Sequence, residues 1–204
     1  MPRIFKSLAL AFAALLLVAP VARAQGADPA AQTIQSFYDT LLDSMKNAKT
    51  LGAKGRYDKL KPAVEAAFDI KTMTGISVGQ SVWAGLSAAD KKSLTDSFER
   101  LTIAGYAGGF DGYSGEKFTV EPKATARGND QVVKSQLMTG DGKTIPFYYQ
   151  MRQSGGTWKI IDVVLNGEAS QLAIYNADFS STMRTSGAQG LAKKINEMAD
   201  KKLQ

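Results

Sequence analysis

The chain has 204 residues, with 25 Lys and Arg against 19 Asp and Glu and with neither His nor Cys. Without imidazole or thiol there is no Ser-His-Asp relay, no His-ligated or thiolate metal site, no thiol nucleophile, no lipoprotein cysteine and no disulfide, so stability rests on packing alone. The formal charge of +6 is not gathered into the basic aromatic face that nucleic acid requires.

The first segment, MPRIFKSLALAFAALLLVAPVARAQG, carries Arg3 and Lys6, an apolar run from Leu8 to Ala19, and small residues at Ala22 and Ala24. This is the pattern of a secretory leader cleaved after Ala24; its run of about a dozen residues is short of the roughly 20 that a membrane span needs. Residues 1–24 are therefore expected to be removed, leaving 25–204 as a single domain long enough for a real core. Loss of Arg3, Lys6 and Arg23 leaves 22 cations against 19 anions, a net charge of +3. So mild a charge describes a solvated surface with some affinity for anionic membranes or partners.

Beyond the leader, Ile34, Phe37, Tyr38, Leu41, Leu42 and Met45 recur at helical spacing, with Asp28 placed to cap and Pro29 at the first helical position. The pattern predicts an amphipathic helix ending before Gly52, then a short helix around Pro62 to Phe68 and another capped by Asp69. Ser87 and Asp90 have capping-box spacing and lead into a stripe of Leu94, Phe98, Leu101 and Tyr106, with Gly105, Gly108, Gly109 and Gly112 expected to stop the helix. From Lys117 the period changes to two. KFTVEPKATA, QVVKSQLMTG, KTIPFYYQMRQ and TWKIIDVVLNG read as four strands joined by turns at Gly128-Asn129, Asp141-Gly142 and Gly155-Gly156. Leu172, Tyr175, Phe179 and Met183 then mark a helical face, followed by a second short amphipathic helix. The expected architecture is α+β: helices over about 29–112, a four-stranded antiparallel meander over about 116–167, and C-terminal helices over about 170–201.

Three stretches imitate catalytic motifs. Gly75 to Gly79 has the Gly-x-Ser-x-Gly form around Ser77, yet no strand precedes it and no His exists to act as base. Ser114 and Lys117 have Ser-x-x-Lys spacing but fall in a glycine-rich loop opening a strand rather than on one helical face. The glycines of GYAGGFDGYSG lack the ending of a phosphate loop. Asp162 carries more weight, because a carboxylate in an oily strand suits either a general base with Tyr148, Tyr149 or Tyr175 as phenol partner, or a structural acceptor of backbone N–H or Arg. The structural reading is preferred. The last strand is itself unusual, with Trp158, Ile160 and Val164 in one register and Ile161, Val163 and Leu165 in the other, so both faces are oily.

The run GGTWKIIDVVLNGEASQLAIYNADFSSTMRTSGAQGLAKKI resembles the C-terminal part of the MlaC family of periplasmic phospholipid-binding proteins, also linked to toluene tolerance. The shared landmarks fall on Trp158, Asp162, Gly167, Ser170, Arg184, Gly187, Gly190 and Leu191. Upstream, Phe98, Leu101, Tyr106, Tyr113, Gly115 and Phe118 match the family's long helix and the strand after it. RYDKLKPAVEAAFDIKTMTGISVGQSVW and IPFYYQMR are most similar to the hopanoid-associated HpnM branch.

The resemblance implies a curved sheet and surrounding helices enclosing an apolar cavity, with no catalytic group and no cofactor. It implies a carrier moving a phospholipid or hopanoid between inner-membrane and outer-membrane transport complexes, in transient contact with membranes or their proteins. Trp83, Tyr106, Phe110, Phe147, Tyr149, Met151, Ile161, Val163 and Leu165 are the expected cavity lining. One face of the last strand would then close the core and the other would form a wall against lipid. The competing readings are a pocket enzyme using Asp162 and a tyrosine, and a periplasmic adaptor whose oily faces are all core.

Overall fold

A computed structural model describes residues 26–204, and the leader expected at 1–24 lies outside the described residues. Five helices come first: α1 (Pro29–Lys46), α2 (Ala48–Ala67), α3 (Ile70–Val78), α4 (Gln80–Gly85) and α5 (Ala88–Gly109). The strands β1 (Lys117–Val120), β2 (Thr125–Arg127), β3 (Asp130–Met138), β4 (Thr144–Ser154), β5 (Thr157–Leu165) and β6 (Ala169–Ser170) follow, and α6 (Gln171–Lys202) ends the chain. No helix among the described residues is long and apolar enough to cross a membrane.

Local capping places the helix starts. The Asp28, Asp69, Ser87 and Ser170 side chains accept from the backbone N–H of Ala30, Thr72, Asp90 and Ala173, each satisfying a donor that the first helical turn leaves free. In α1, Ile34, Phe37, Tyr38, Leu41 and Met45 are all buried, as their spacing predicts. At roughly 1.5–3 kcal/mol for each fully buried large side chain, that stripe rather than helix propensity holds α1 in place.

Two helical expectations need correction. Pro62 lies inside α2 instead of opening a short helix, and the break in the chain is at Gly52, whose φ of 62° suits glycine. Leu60, Val64 and Ala67 bury one face of α2, which offsets the cost of about 3 kcal/mol that an interior proline carries. Likewise α5 runs through Gly105 and Gly108 and stops at Gly109. Gly108 is required there because a β-carbon would overlap the backbone carbonyl of Lys202, where α6 crosses.

The sheet is antiparallel in the order β1-β3-β4-β5-β6, with β2 also paired to β3. The first expected strand is thus broken in two around Pro122, which has no N–H for the ladder and whose carbonyl accepts from Asp28 at the head of α1. The rest of the meander follows the expected turns. At the other end of the chain, α6 is interrupted at Gly187 (φ 63°), matching the two helices read from the sequence.

β5 departs from simple alternation. Gln150 pairs with Asp162 but Met151 pairs with Ile160, so Ile161 is an extra, unpaired residue in a β-bulge. Residues directly opposite in an antiparallel pair share a face, so Ile160 joins Val163 and Leu165 on the side of Met151, Tyr149 and Phe147. The double oiliness of β5 therefore comes from a change of phase within one strand, not from two oily faces. Core and cavity wall lie on the same inner face, and the outer face carries Asp162 and Val164 opposite Gln150 and Tyr148.

The helices cover this inner face. The Thr33 hydroxyl donates to the Trp158 carbonyl at 3.2 Å, Lys159 donates to the Glu65 and Ala66 carbonyls at the end of α2, and Asp69 N–H donates to Ile160. The C-terminal half of α6 lies along α5, tied by Arg100 to the Asn196 carbonyl at 3.0 Å and by Asn196 to the Ser97 hydroxyl at 2.9 Å.

Candidate functional site: an apolar cavity under the sheet

Between the inner face of β4 and β5 and the helices α3, α5 and α6 lies a cavity of about 310 Å³. Alternation along β4 supplies Ile145 and Phe147, their neighbours Leu165 and Val163 come from β5, and α5 contributes Phe98, Leu101, Gly105 and Tyr106 along one side, with Phe110 at its C-cap. Met73 of α3 and Tyr175 of α6 complete the apolar wall. Met73, Phe98, Leu101 and Val163 are no more than 2% exposed and form the floor. Asn166 and Lys202 are exposed and, with Gln171 and Thr102, give the opening a polar rim.

Oily walls with a few polar groups among them suit an amphipathic guest. Gly105 makes the room on the α5 side, since a β-carbon there would meet nothing within 4 Å. The aromatic walls are braced from behind, with Tyr106 edge-on to Phe37 at 4.8 Å and stacked on Phe110 at 6.0 Å between ring centres.

Five of the nine expected residues, Tyr106, Phe110, Phe147, Val163 and Leu165, meet at this cavity. Tyr149 and Met151 lie deeper on the same sheet face, 1% and 0% exposed, as core. Ile161 is buried in the bulge. Trp83 sits elsewhere, its indole 3.2 Å from where a β-carbon of Gly75 would stand, beside a separate surface hollow shared with Asp69 and Arg152. Met73, Phe98, Leu101, Ile145, Tyr175 and the polar rim were not among the expected lining. Ile145 was within reach of sequence reasoning, standing two residues before Phe147 in the same alternation, and Phe98 and Leu101 belong to the α5 stripe.

The buried tyrosines are strongly desolvated. Tyr38 has its pKa pushed up to about 12 by burial, and burial raises those of Tyr106, Tyr149 and Tyr175 as well. All four stay protonated phenols at neutral pH.

Asp162 does not line the cavity. Its Oδ1 accepts from the N–H of Val163 at 2.8 Å and of Leu172 at 3.3 Å, and its Oδ2 from the Ser170 hydroxyl at 2.5 Å. The carboxylate thus fastens β5 to the start of α6, which is the structural role preferred from the sequence. Arg152 is engaged instead with Asp130, at 2.7 and 2.8 Å. Ser77 lies buried within α3 and donates to the Thr74 carbonyl, so its flanking glycines frame no nucleophile elbow. Among the described residues no cluster of three or more acidic side chains is placed to hold a metal ion.

An antiparallel sheet closed on one face by helices, with an apolar cavity held between the layers, defines a class of α+β pocket proteins. A family model for the MlaC protein matches residues 35–197, and the chain belongs to the MlaC family. Its fold is similar to that of a phospholipid-binding protein from Ralstonia solanacearum, solved in complex with a phospholipid, with a TM-score of 0.73, 21% identity, and coverage of 86% of this chain and 99% of that one. No curated protein matches the sequence.

Proposed function

We propose that this protein is a periplasmic lipid carrier that holds the apolar body of a phospholipid or hopanoid in the cavity and leaves the polar head at the rim of Asn166, Gln171 and Lys202. It hands the lipid between inner-membrane and outer-membrane transport complexes. The cavity, walled mainly by aromatic and aliphatic side chains and bordered by the exposed Asn166 and Lys202, carries this reading. Membership of the MlaC family and the phospholipid bound by the Ralstonia relative support it, and the secretory pattern of residues 1–24 supports the location. The likeness of residues 56–83 and 145–152 to the HpnM branch favours a hopanoid as the cargo.

The thermodynamics suit a carrier. Each methylene shielded from water is worth about 0.8 kcal/mol, but a lipid leaving a bilayer gives up the same amount. Transfer therefore needs a cavity matching the bilayer interior, and needs no reactive group.

Transfer between vesicles tests the reading. Purified protein should speed the movement of labelled phospholipid or hopanoid from donor to acceptor vesicles in proportion to its concentration. A rate unchanged by the protein for both lipids would contradict it.

A further inference from the structure

The lining of the cavity holds a single charged side chain, Lys202, and no carboxylate. Lys202 is exposed, and its backbone is fixed in place, because its carbonyl lies against Gly108 of α5 where any β-carbon would overlap it. The acidic side chains of α6 are engaged elsewhere: Asp200 with Arg100, Glu197 with Lys193, and Asp178 with Lys194. No carboxylate among the described residues pairs with Lys202. A lysine in the last turn of a helix offsets the helix dipole, and Lys201 does so equally, but of the two only Lys202 lines the cavity. The amide side chains of Asn166 and Gln171 share that lining. Among the described residues Asn166 is the one non-glycine with a positive φ, 54°, a costly conformation of the kind that clusters at ligand sites.

A lipid whose apolar body fills the walls presents its head group to this opening. Lysine offers three donors and a positive charge, and each amide offers two donors, with no negative charge in the lining to oppose an anion. A zwitterionic head group brings its own cation, which Lys202 repels. We propose that Lys202, with Asn166 and Gln171 beside it, makes this a carrier selective for lipids whose head group is net negative, with phosphate oxygens meeting the Lys202 ammonium. The inference rests on the lipid-carrier reading and divides its two cargoes. The charge of the opening favours an anionic phospholipid, where the branch likeness favours a hopanoid.

Dihexanoyl-phosphatidylglycerol and dihexanoyl-phosphatidylcholine test it, because they share acyl chains and differ in head-group charge. Used as monomers, they present no membrane surface to attract the protein's overall charge. Their affinities are measured by calorimetry on delipidated parent protein, Lys202→Gln and Lys201→Gln. The parent should bind phosphatidylglycerol about three-fold more tightly at low salt, the scale of one exposed ion pair, with the gap narrowing as salt screens it. Lys202→Gln should bring the ratio to one, and Lys201→Gln should leave it as in the parent. Inorganic phosphate at the lipid's concentration should not displace phosphatidylglycerol.

Equal affinities in the parent, or tighter binding of phosphatidylcholine, overturn the inference and leave the carrier reading standing. So does a ratio that survives Lys202→Gln, or one that Lys201→Gln abolishes as well, since net charge then suffices. Displacement by inorganic phosphate also overturns it, making the opening a site for free anions. Binding of neither lipid overturns it too, and the carrier reading then stands or falls on vesicle transfer. The parent protein's ratio and its salt dependence carry the test by themselves if a variant does not fold.

Discussion

Gly105 faces the cavity near the C-terminal end of α5, with open space where a β-carbon would stand. Its backbone is helical, so leucine at this position is unstrained and relieves the penalty of about 0.5–1 kcal/mol that a helical glycine carries. Gly105→Leu should hold or raise the Tm while filling part of the cavity and weakening lipid binding several-fold. Thermal unfolding and lipid binding measured on one preparation check both halves, and unimpaired binding would place the lipid elsewhere. Asp162 behaves differently. Asp162→Ala strands the Leu172 N–H and the Ser170 hydroxyl at the head of α6, a loss of about 1–2 kcal/mol. In a chain of this size that lowers the Tm by roughly 2–4 °C per kcal/mol, and calorimetry should find the loss while lipid loading survives. Loss of loading without loss of Tm would return Asp162 to the list of functional groups.

The elements differ in how much of them could be read in advance. The helix starts at Asp28, Asp69 and Ser87 were legible because a cap is a local interaction within a few residues, whereas the cap at Ser170 was found only in the structure. The cavity side of α5 was half legible, since the stripe through Phe98, Leu101 and Tyr106 marks an inward face without distinguishing core from cavity. The bulge at Ile161 was not legible, because register is set by pairing with β4 and a one-residue slip reverses every side chain after it. For the same reason β5 looked oily on two faces. Pro62 misled because burial of Leu60 and Val64, a tertiary effect, overrode a local signal.

Strand pairing also sets one acid-sensitive contact. Asp130 at the start of β3 is buried, and hydrogen bonds from the Arg152 guanidinium on β4 hold its carboxyl below the usual aspartate range. A lowered folded pKa contributes stability that is full above the unfolded value of about 3.9 and is lost as the pH falls through the folded value. Arg152 remains 45% exposed, which limits the size of the effect. Melting curves of the parent protein and Asp130→Asn should differ at neutral pH and converge in acid below the ordinary aspartate range. A gap independent of pH would remove the ion pair from the account.

At the scale of the whole molecule, the order of helices, meander and helices was readable from hydrophobic period, but the cavity was not. A cavity is a space left between layers, and residues such as Ile145, Phe98 and Tyr175 gain their place in it only when β4, α5 and α6 come together. Absence of His and Cys from the whole chain narrowed the chemistry before any fold was known, and the capped, inward-facing helices explain how a disulfide-free chain closes over an oily space. The central claim is that this space holds one lipid. It is tested most directly by purifying the protein without detergent from a Gram-negative host, extracting bound lipid, and counting lipid against protein by mass spectrometry. The account predicts close to one phospholipid or hopanoid per chain, falling markedly in Gly105→Leu, whereas lipid-free protein from the same gentle preparation would contradict it.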